Sequence, residues 1–181
     1  MPSAVALTGT PGTGKSSVAR ALAPRFRSVE VGDLAIALGA GRPRAGGVEV
    51  DLRLLRLRLT RSKALNGIDL VVGHLAHLLP VRDVIMLRCR PTELERRARH
   101  ARRGSPAERR ENFVAEATDV ILLEAMRPGR RVWEVDTTGR TVPEVARAVA
   151  RRLRHRGASD YGSVDWLADR RVTAHLLDPP R

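Results

Sequence analysis

Gly9-Thr10-Pro11-Gly12-Thr13-Gly14-Lys15-Ser16 is the stretch whose reading decides the fold of this 181-residue chain. It satisfies G-x-x-x-x-G-K-[ST], the spacing of a phosphate-binding loop. Its flanks fit the same reading. Ala4-Val5-Ala6-Leu7 is a short apolar run of the kind a buried first strand requires. Ser17 to Ala23 follows as a predicted helix that Pro24 ends. Strand, glycine loop and helix in that order place backbone N–H groups around an anion, with the partial positive charge of the helix N-terminus behind them. Gly12 and Gly14 give the backbone its turn, Lys15 can reach the β- and γ-phosphates, and the Ser16 hydroxyl is the candidate ligand of a Mg²⁺ ion. The implied ligand is a nucleoside triphosphate. The destination of its phosphoryl group has to be read elsewhere.

Composition sets the frame. The length fits one compact domain with a real core, and 43% hydrophobic content supports a globular chain. No apolar run reaches the length of a membrane span, and Met1 leads straight into the first strand without room for a signal peptide. The single cysteine, Cys89, excludes an internal disulfide and fits a reducing, cytoplasmic setting. It lies in an apolar run, as a buried structural thiol would. The net charge is +13, and Lys15 and Lys63 are the only lysines. Arginine suits phosphate and RNA contacts. Two readings of this excess stand side by side: a surface for nucleic acid, and compositional arginine bias on solvated helix faces.

Strands and helices alternate along the chain. Ser28–Val31 is a predicted second strand, and Gly32-Asp33 opens a helix through Leu38 with Asp33 as N-cap. Residues 39–47 are breakers and arginines, which read as a flexible loop. Asp51 to about Leu65 reads as a helix, Leu70–Val72 and Asp83–Leu87 as buried strands. Thr92-x-x-Glu95 and Ser105-x-x-Glu108 both have the form of capping boxes, the second opening a helix to about Met126. Val132–Val135 is a last strand, and Thr141-x-x-Glu144 caps a final amphipathic helix to about Arg154. The pattern predicts an α/β fold with a parallel sheet covered on both faces. The expected organisation is a kinase-like domain over residues 1–156 and a C-terminal tail over 157–181.

A kinase built on this loop needs an acceptor pocket, cations on the moving phosphoryl group and a closing element that excludes water. The pocket candidates lie between Gly32 and Asp51. The closing element is expected near 102–112, where Arg102, Arg103, Arg109 and Arg110 flank Gly104. Arg103, beside the glycine, is the first choice for a lid arginine and Arg109 the second. A metal-positioning carboxylate is expected at the end of the third strand, yet Leu70-Val71-Val72-Gly73 has none. His74 follows and is a candidate for contact with water or the γ-phosphate. His74 and His77 are spaced as a metal pair, but no cysteine or third histidine accompanies them, and His77 reads as a packed loop histidine. Asp33 and Asp51 are remote candidates for Mg²⁺ through water.

Several segments together resemble one family. Gly9–Ser16, Val31-Gly32-Asp33-Leu34, Gly73-His74-Leu75-Ala76-His77-Leu78-Leu79-Pro80, Arg103-Gly104, Arg110-Glu111-Asn112 and Val135-Asp136-Thr137-Thr138-Gly139 are similar to the archaeal "putative adenylate kinase" family, relatives of the eukaryotic adenylate kinase isoenzyme six. The resemblance spans residues 3–155. It implies a P-loop nucleoside monophosphate kinase fold with a flap near 30–51 and a lid near 102–112. It implies the reaction ATP + AMP = 2 ADP with broad nucleotide tolerance, and an ATPase activity. It also implies a link to small-subunit rRNA maturation through a ribosomal protein of the S-eleven type. By position, Gly12, Gly14, Lys15, Ser16 and Ser17 match the family's ATP contacts, Arg103 its lid arginine and His74 its strand-end histidine. Two departures stand out. Val72 occupies a position commonly acidic in the family, and Ile36 one where relatives often carry arginine. Arg42, Arg44 and Arg82 are the candidate replacements for that arginine. Trp166 in the tail is a candidate for stacking on RNA or for docking on the domain.

Overall fold

A computed structural model describes residues 4–177, so the first three residues of the expected domain and the last four of the tail lie outside the described residues. Five parallel strands form the central sheet: β1 (Val5–Thr8), β2 (Ser28–Glu30), β5 (Leu70–Val72), β6 (Asp83–Arg88) and β7 (Arg131–Asp136), in the spatial order β2-β5-β1-β6-β7. The apolar runs of β1, β5 and β6 are buried throughout, as a parallel sheet between helical layers demands, while the edge strand β2 is exposed or half-buried. Alternation along β1 shows the division. Ala4 and Ala6 join one core, with Val71, Val84 and Met86. Val5 and Leu7 join the other, with Leu70, Val72, Ile85 and Leu87. Helix α1 (Lys15–Leu22) and helix α7 (Val142–Arg154) cover the second face; α2 (Val31–Ala37), α3 (Leu52–Arg61) and α6 (Val120–Ala125) contribute to the first. Among the described residues no helix is long and apolar enough to cross a membrane.

Local chemistry explains where the elements begin. Ser105 and Glu108 form a capping box with Pro106 at the first helical position of α5 (Pro106–Ala117), and Thr141 and Glu144 do the same for α7. The first predicted box is absent. Helix α4 (Pro91–His100) starts at Pro91, with Arg90 at the N-cap and no side-chain cap. Proline's fixed φ and missing N–H favour exactly one slot, the first helical position, and that claims the start ahead of Thr92. Asp33 is not an N-cap either: α2 follows β2 without a turn, Glu30 takes the cap position, and Asp33 sits in the first turn. There its charge still complements the helix dipole.

The segment expected as a loop is a β-hairpin. Strand β3 (Gly41–Arg44) pairs antiparallel with β4 (Gly47–Val50) around Ala45-Gly46, and Arg44 makes an ion pair with Glu49 at 2.8 Å. The C-terminus of α2 leads into it through paired bonds, Gly39 N–H to Ile36 C=O and Ala40 N–H to Ala35 C=O, with Gly39 left-handed. Helix α3 stops at Arg61, earlier than expected, and the helix predicted to run on to Met126 breaks at Asp119, whose φ is +58°. The tail contains a helix not foreseen in its sequence, α8 (Arg170–Leu177), whose Val172 packs with Trp166 against Phe113 and Ala117 of α5.

Candidate functional site

The loop from Gly9 to Gly14 joins the C-terminal end of β1 to α1. Gly9 cannot be replaced: its φ is +135°, and a Cβ there would lie 2.2 Å from the Leu87 carbonyl oxygen. Gly14 caps α1 in the left-handed region with no side-chain cap, and a Cβ there meets nothing within 4 Å. The first-turn N–H groups of Lys15, Ser16 and Ser17 have no acceptor among the described residues, as a helix N-terminus that receives an anion requires. The Lys15 ammonium donates to the carbonyls of Gly9 at 2.8 Å and Thr10 at 3.0 Å. Burial lowers its pKa to about 8, against the raising influence of Glu116 and Glu30.

The floor of the loop is a buried charge network. Thr10 donates to Glu116 Oε2 at 2.5 Å, and Thr13 donates to the Thr10 carbonyl. Glu116 Oε1 accepts from Arg88 Nε at 2.9 Å, from Cys89 N–H at 3.1 Å and from the Trp166 indole at 3.1 Å. Arg88 also pairs with Asp119 and Glu134. Its burial alone would lower its pKa, but Glu116, with Asp119 and Glu134, raises it and keeps the guanidinium charged. Cys89 is buried, and that burial raises its thiol pKa to about 11, so it stays a protonated packing residue.

His74 and Lys15 come together at the end of β5. His74 is exposed, and partial burial of its ring, then the Lys15 charge, then His77 lower its pKa. His77 is buried. Its Nε2 lies 2.9 Å from Glu124 Oε2, an acceptor, which puts the proton on Nε2 and leaves Nδ1 to accept from Thr8 Oγ1 at 3.0 Å. Both ring nitrogens are thus engaged, and the zinc-pair spacing has no site to serve. Among the described residues no group of three or more His, Cys, Asp or Glu side chains is placed to hold a metal.

A magnesium ion accompanying a nucleotide needs less: hard oxygens and a share of the phosphates. The donor chemistry here fits. The Ser16 hydroxyl, in the first turn of α1, has no hydrogen-bond partner among the described residues, and the half-buried Glu30 carboxylate ends the neighbouring part of the sheet. Asp51 is occupied otherwise, since it caps α3 by accepting from Leu54 N–H.

Arg103 stands apart from this cluster. It lies between left-handed Arg102 and Gly104 in the α4–α5 connection, is exposed, and its side chain has no partner among the described residues. Arg109 is tied down, donating to the Gly104 carbonyl at 2.6 Å. The tail straps both helices that flank this connection. Asp169 pairs with Arg90, His175 lies 3.0 Å from Glu95, and Arg110 donates to the carbonyls of His175 and Leu176. Trp166 docks on the domain through Glu116. Of the proposed replacements for an arginine at Ile36, Arg44 is paired with Glu49, and Arg82 precedes β6 at the opposite end of the sheet from the loop. A cleft of about 730 Å³ between α2 and α3 is lined by Ile36, Leu54, Leu57, Arg58 and Arg61. Sequence reading missed Glu116, Glu30 and Arg58.

Comparison with known proteins places the chain in a family. The sequence profile of the AAA domain family matches residues 5–119. The chain is 39% identical over 171 residues to the "Putative adenylate kinase" of Archaeoglobus fulgidus, covering 91% of this chain and 92% of the relative. The protein of the same name from Pyrococcus furiosus is 38% identical over 166 residues, covering 90% of each. The chain belongs to the archaeal "putative adenylate kinase" family. Solved structures extend the likeness in fold alone. Shikimate kinase from Bacteroides thetaiotaomicron matches with a TM-score of 0.52 at 13% identity, over 84% of this chain and 98% of that one. A gluconokinase from Sinorhizobium meliloti matches with a TM-score of 0.51 at 19% identity, over 84% and 92%. This chain thus has an α/β P-loop kinase fold on a five-stranded parallel sheet, similar in fold to these two kinases.

Removing the Glu116 carboxylate should test the floor of the loop. Glu116→Ala leaves Arg88 to Asp119 and Glu134 but strands the buried donors of Thr10, Cys89 and Trp166, at a cost of about 3–5 kcal/mol. Equilibrium denaturation checks the loss, and Trp166 fluorescence should shift with it. A cost under about 1 kcal/mol would show that Arg88 and these donors are satisfied without Glu116.

Proposed function

We propose that the protein is a nucleoside monophosphate kinase catalysing ATP + AMP = 2 ADP. The observation that carries this reading is the Gly9–Ser16 cradle, with Lys15 and His74 at one sheet end, in a chain of this family. Lys15 exchanges its two carbonyl acceptors for the β- and γ-phosphate oxygens, while the N–H groups of Gly12, Gly14, Ser16 and Ser17 hold the rest of the triphosphate. Mg²⁺, bound with the Ser16 hydroxyl among its ligands, supplies charge neutralisation on the phosphates. The acceptor phosphate oxygen attacks the γ-phosphorus in line, the bond to the β–γ bridging oxygen breaks, and ADP leaves. Arg103 folds over the phosphates from the α4–α5 connection, the lid of the enzyme, and His74 orients water or the γ-phosphate. The acceptor lies on the flap side, residues 30–51. The α2–α3 cleft supports this, with an apolar wall at Ile36 and Leu57 and cations at Arg58 and Arg61. With no acceptor bound, water takes the phosphoryl group, which is the ATPase activity.

A coupled assay of ATP against each monophosphate decides the reading. At least one monophosphate should accept the phosphoryl group faster than water does; if none does, the kinase reading is wrong. Lys15→Ala should abolish both activities, and retained turnover would remove Lys15 from the mechanism. Because burial holds Lys15 at about 8, its charge in the nucleotide-free protein is lost as pH rises through that value. Affinity for an ATP analogue should fall above pH 8 in the wild type and stay flat in Lys15→Arg.

A second reading has its own observation. A groove of about 960 Å³ between α1 and α7 is lined by Arg25, Arg140, Arg147, Arg151 and Arg154, with Glu144 as its acidic residue. Glu144 is already held by Thr141. Such a groove favours a polyanionic partner and supports an ATP-gated role in small-subunit rRNA maturation, with a ribosomal protein of the S-eleven type as partner. Pull-downs from extract with and without ATP should recover ribosomal material in a nucleotide-dependent way. Absence in both conditions counts against this role.

A further inference from the structure

The family's strand-end carboxylate is missing at Val72, and its side chain is 1% exposed in the apolar core beside α1. No anion can be recruited at that position. The neighbouring strand provides one. In the β2–β5 register Glu30 lies directly opposite Val72, and in the β1–β5 register Val72 lies opposite Leu7. Aligned residues on parallel strands project to the same face of the sheet. Val72 and Leu7 both face the core under α1, so Glu30 projects to the α1 side as well. It stands at the C-terminal end of its strand, the end from which the phosphate loop springs.

Three further facts mark this carboxylate. Glu30 is half-buried, which costs an anion solvation. It occupies the N-cap position of α2, but its side chain makes no capping bond. It also has no hydrogen bond or ion pair among the described residues, whereas Glu116, Glu134 and Glu124 are all engaged. Its charge does act on Lys15, which places it within electrostatic reach of the phosphates that Lys15 would hold. A partly desolvated carboxylate with no structural task, beside the loop lysine and facing the helix that carries Ser16, has the features of a group kept for a cation.

We propose that Glu30 replaces the absent strand-end carboxylate and holds the hydration shell of the Mg²⁺ that accompanies the bound nucleotide. The carboxylate has moved one strand sideways, from β5 to β2, on the same face of the sheet. The proposal rests on the kinase reading above, because it assigns a residue to that reaction's metal. Glu30 is a positioning residue: it accepts hydrogen bonds from metal-bound water and orients the ion toward Ser16 and the phosphates. Outer-shell partners of this kind change metal affinity by about 10–100-fold when lost.

The test compares binding of a non-hydrolysable ATP analogue by calorimetry, in excess Mg²⁺ and in EDTA, for wild type, Glu30→Gln and Glu30→Asp. Glu30→Gln keeps the shape and removes the charge at a half-exposed site, and its thermal unfolding should match the wild type. We expect the gain in affinity from Mg²⁺ to shrink about 10-fold or more in Glu30→Gln, with affinity in EDTA unchanged or slightly improved. Glu30→Asp should retain part of the gain. Mn²⁺ titration followed by electron paramagnetic resonance, on the analogue-bound protein, should show the same order. Equal losses with and without the metal would make Glu30 a purely electrostatic partner of Lys15 and overturn the assignment. An unchanged Mg²⁺ gain would overturn it too. Neither result touches the kinase reading, which the coupled assay of wild type against the monophosphates decides.

Discussion

The phosphate loop rests on one buried guanidinium. Arg88, at the end of β6, is 1% exposed and meets Glu116, Asp119 and Glu134. A lone arginine could not be buried this deeply, and neither could the two fully buried carboxylates. The one guanidinium offsets only part of the charge of the three carboxylates, and the remaining acceptor capacity is filled by Thr10, the Cys89 N–H, the Trp166 indole and the Gly162 N–H. One cluster thus ties together the loop floor, β6, α5, β7 and the tail. Burial of such a cluster is a poor source of net stability, but losing Arg88 would leave its buried carboxylates unpaired. Its contribution is to fix where the loop stands.

That anchoring holds the parts around the loop to different degrees. The loop, β1, β6 and β7 share the two cores and the network beneath them. The hairpin after α2 touches the first core through Val50, and the α4–α5 connection stands outside, between two strapped helices with Arg103, unpartnered among the described residues, at its tip. Many of the arginines behind the charge of +13 are spent inside the fold. Arg110 and Arg130 donate to backbone carbonyls, and Arg131 grips Asp83. These are structural uses that composition alone does not separate from ligand binding. The stripe along α7 and its neighbours remains as the cationic groove.

Much of this was legible in the sequence because it is local. The glycine spacing, the alternation of apolar runs with helices, and the boxes at Ser105 and Thr141 all depend on residues a few positions apart. The errors have local causes too: Pro91 outcompetes Thr92 for the helix start, and Gly39 and Gly46 make a hairpin from a stretch that looked like breakers alone. Glu116 was illegible for a different reason. It lies 106 residues from Thr10, and nothing in its neighbourhood distinguishes it from any helical glutamate. Glu30 acquires meaning only once the strand order puts it beside Val72. Strand order is a tertiary property, so a sequence motif search would examine β5, where the carboxylate is absent, and stop.

The central claim is that one end of the sheet holds a donor nucleotide while the flap side holds a second nucleotide as acceptor. A crystal structure with an inhibitor in which two adenosines are joined through a polyphosphate tests it most directly. The expected result has one adenosine and the phosphates on Gly9–Ser16 and the second adenosine against residues 30–51, with Arg103 drawn over the phosphate chain. A second adenosine left in solvent, with the flap side unchanged, would contradict it.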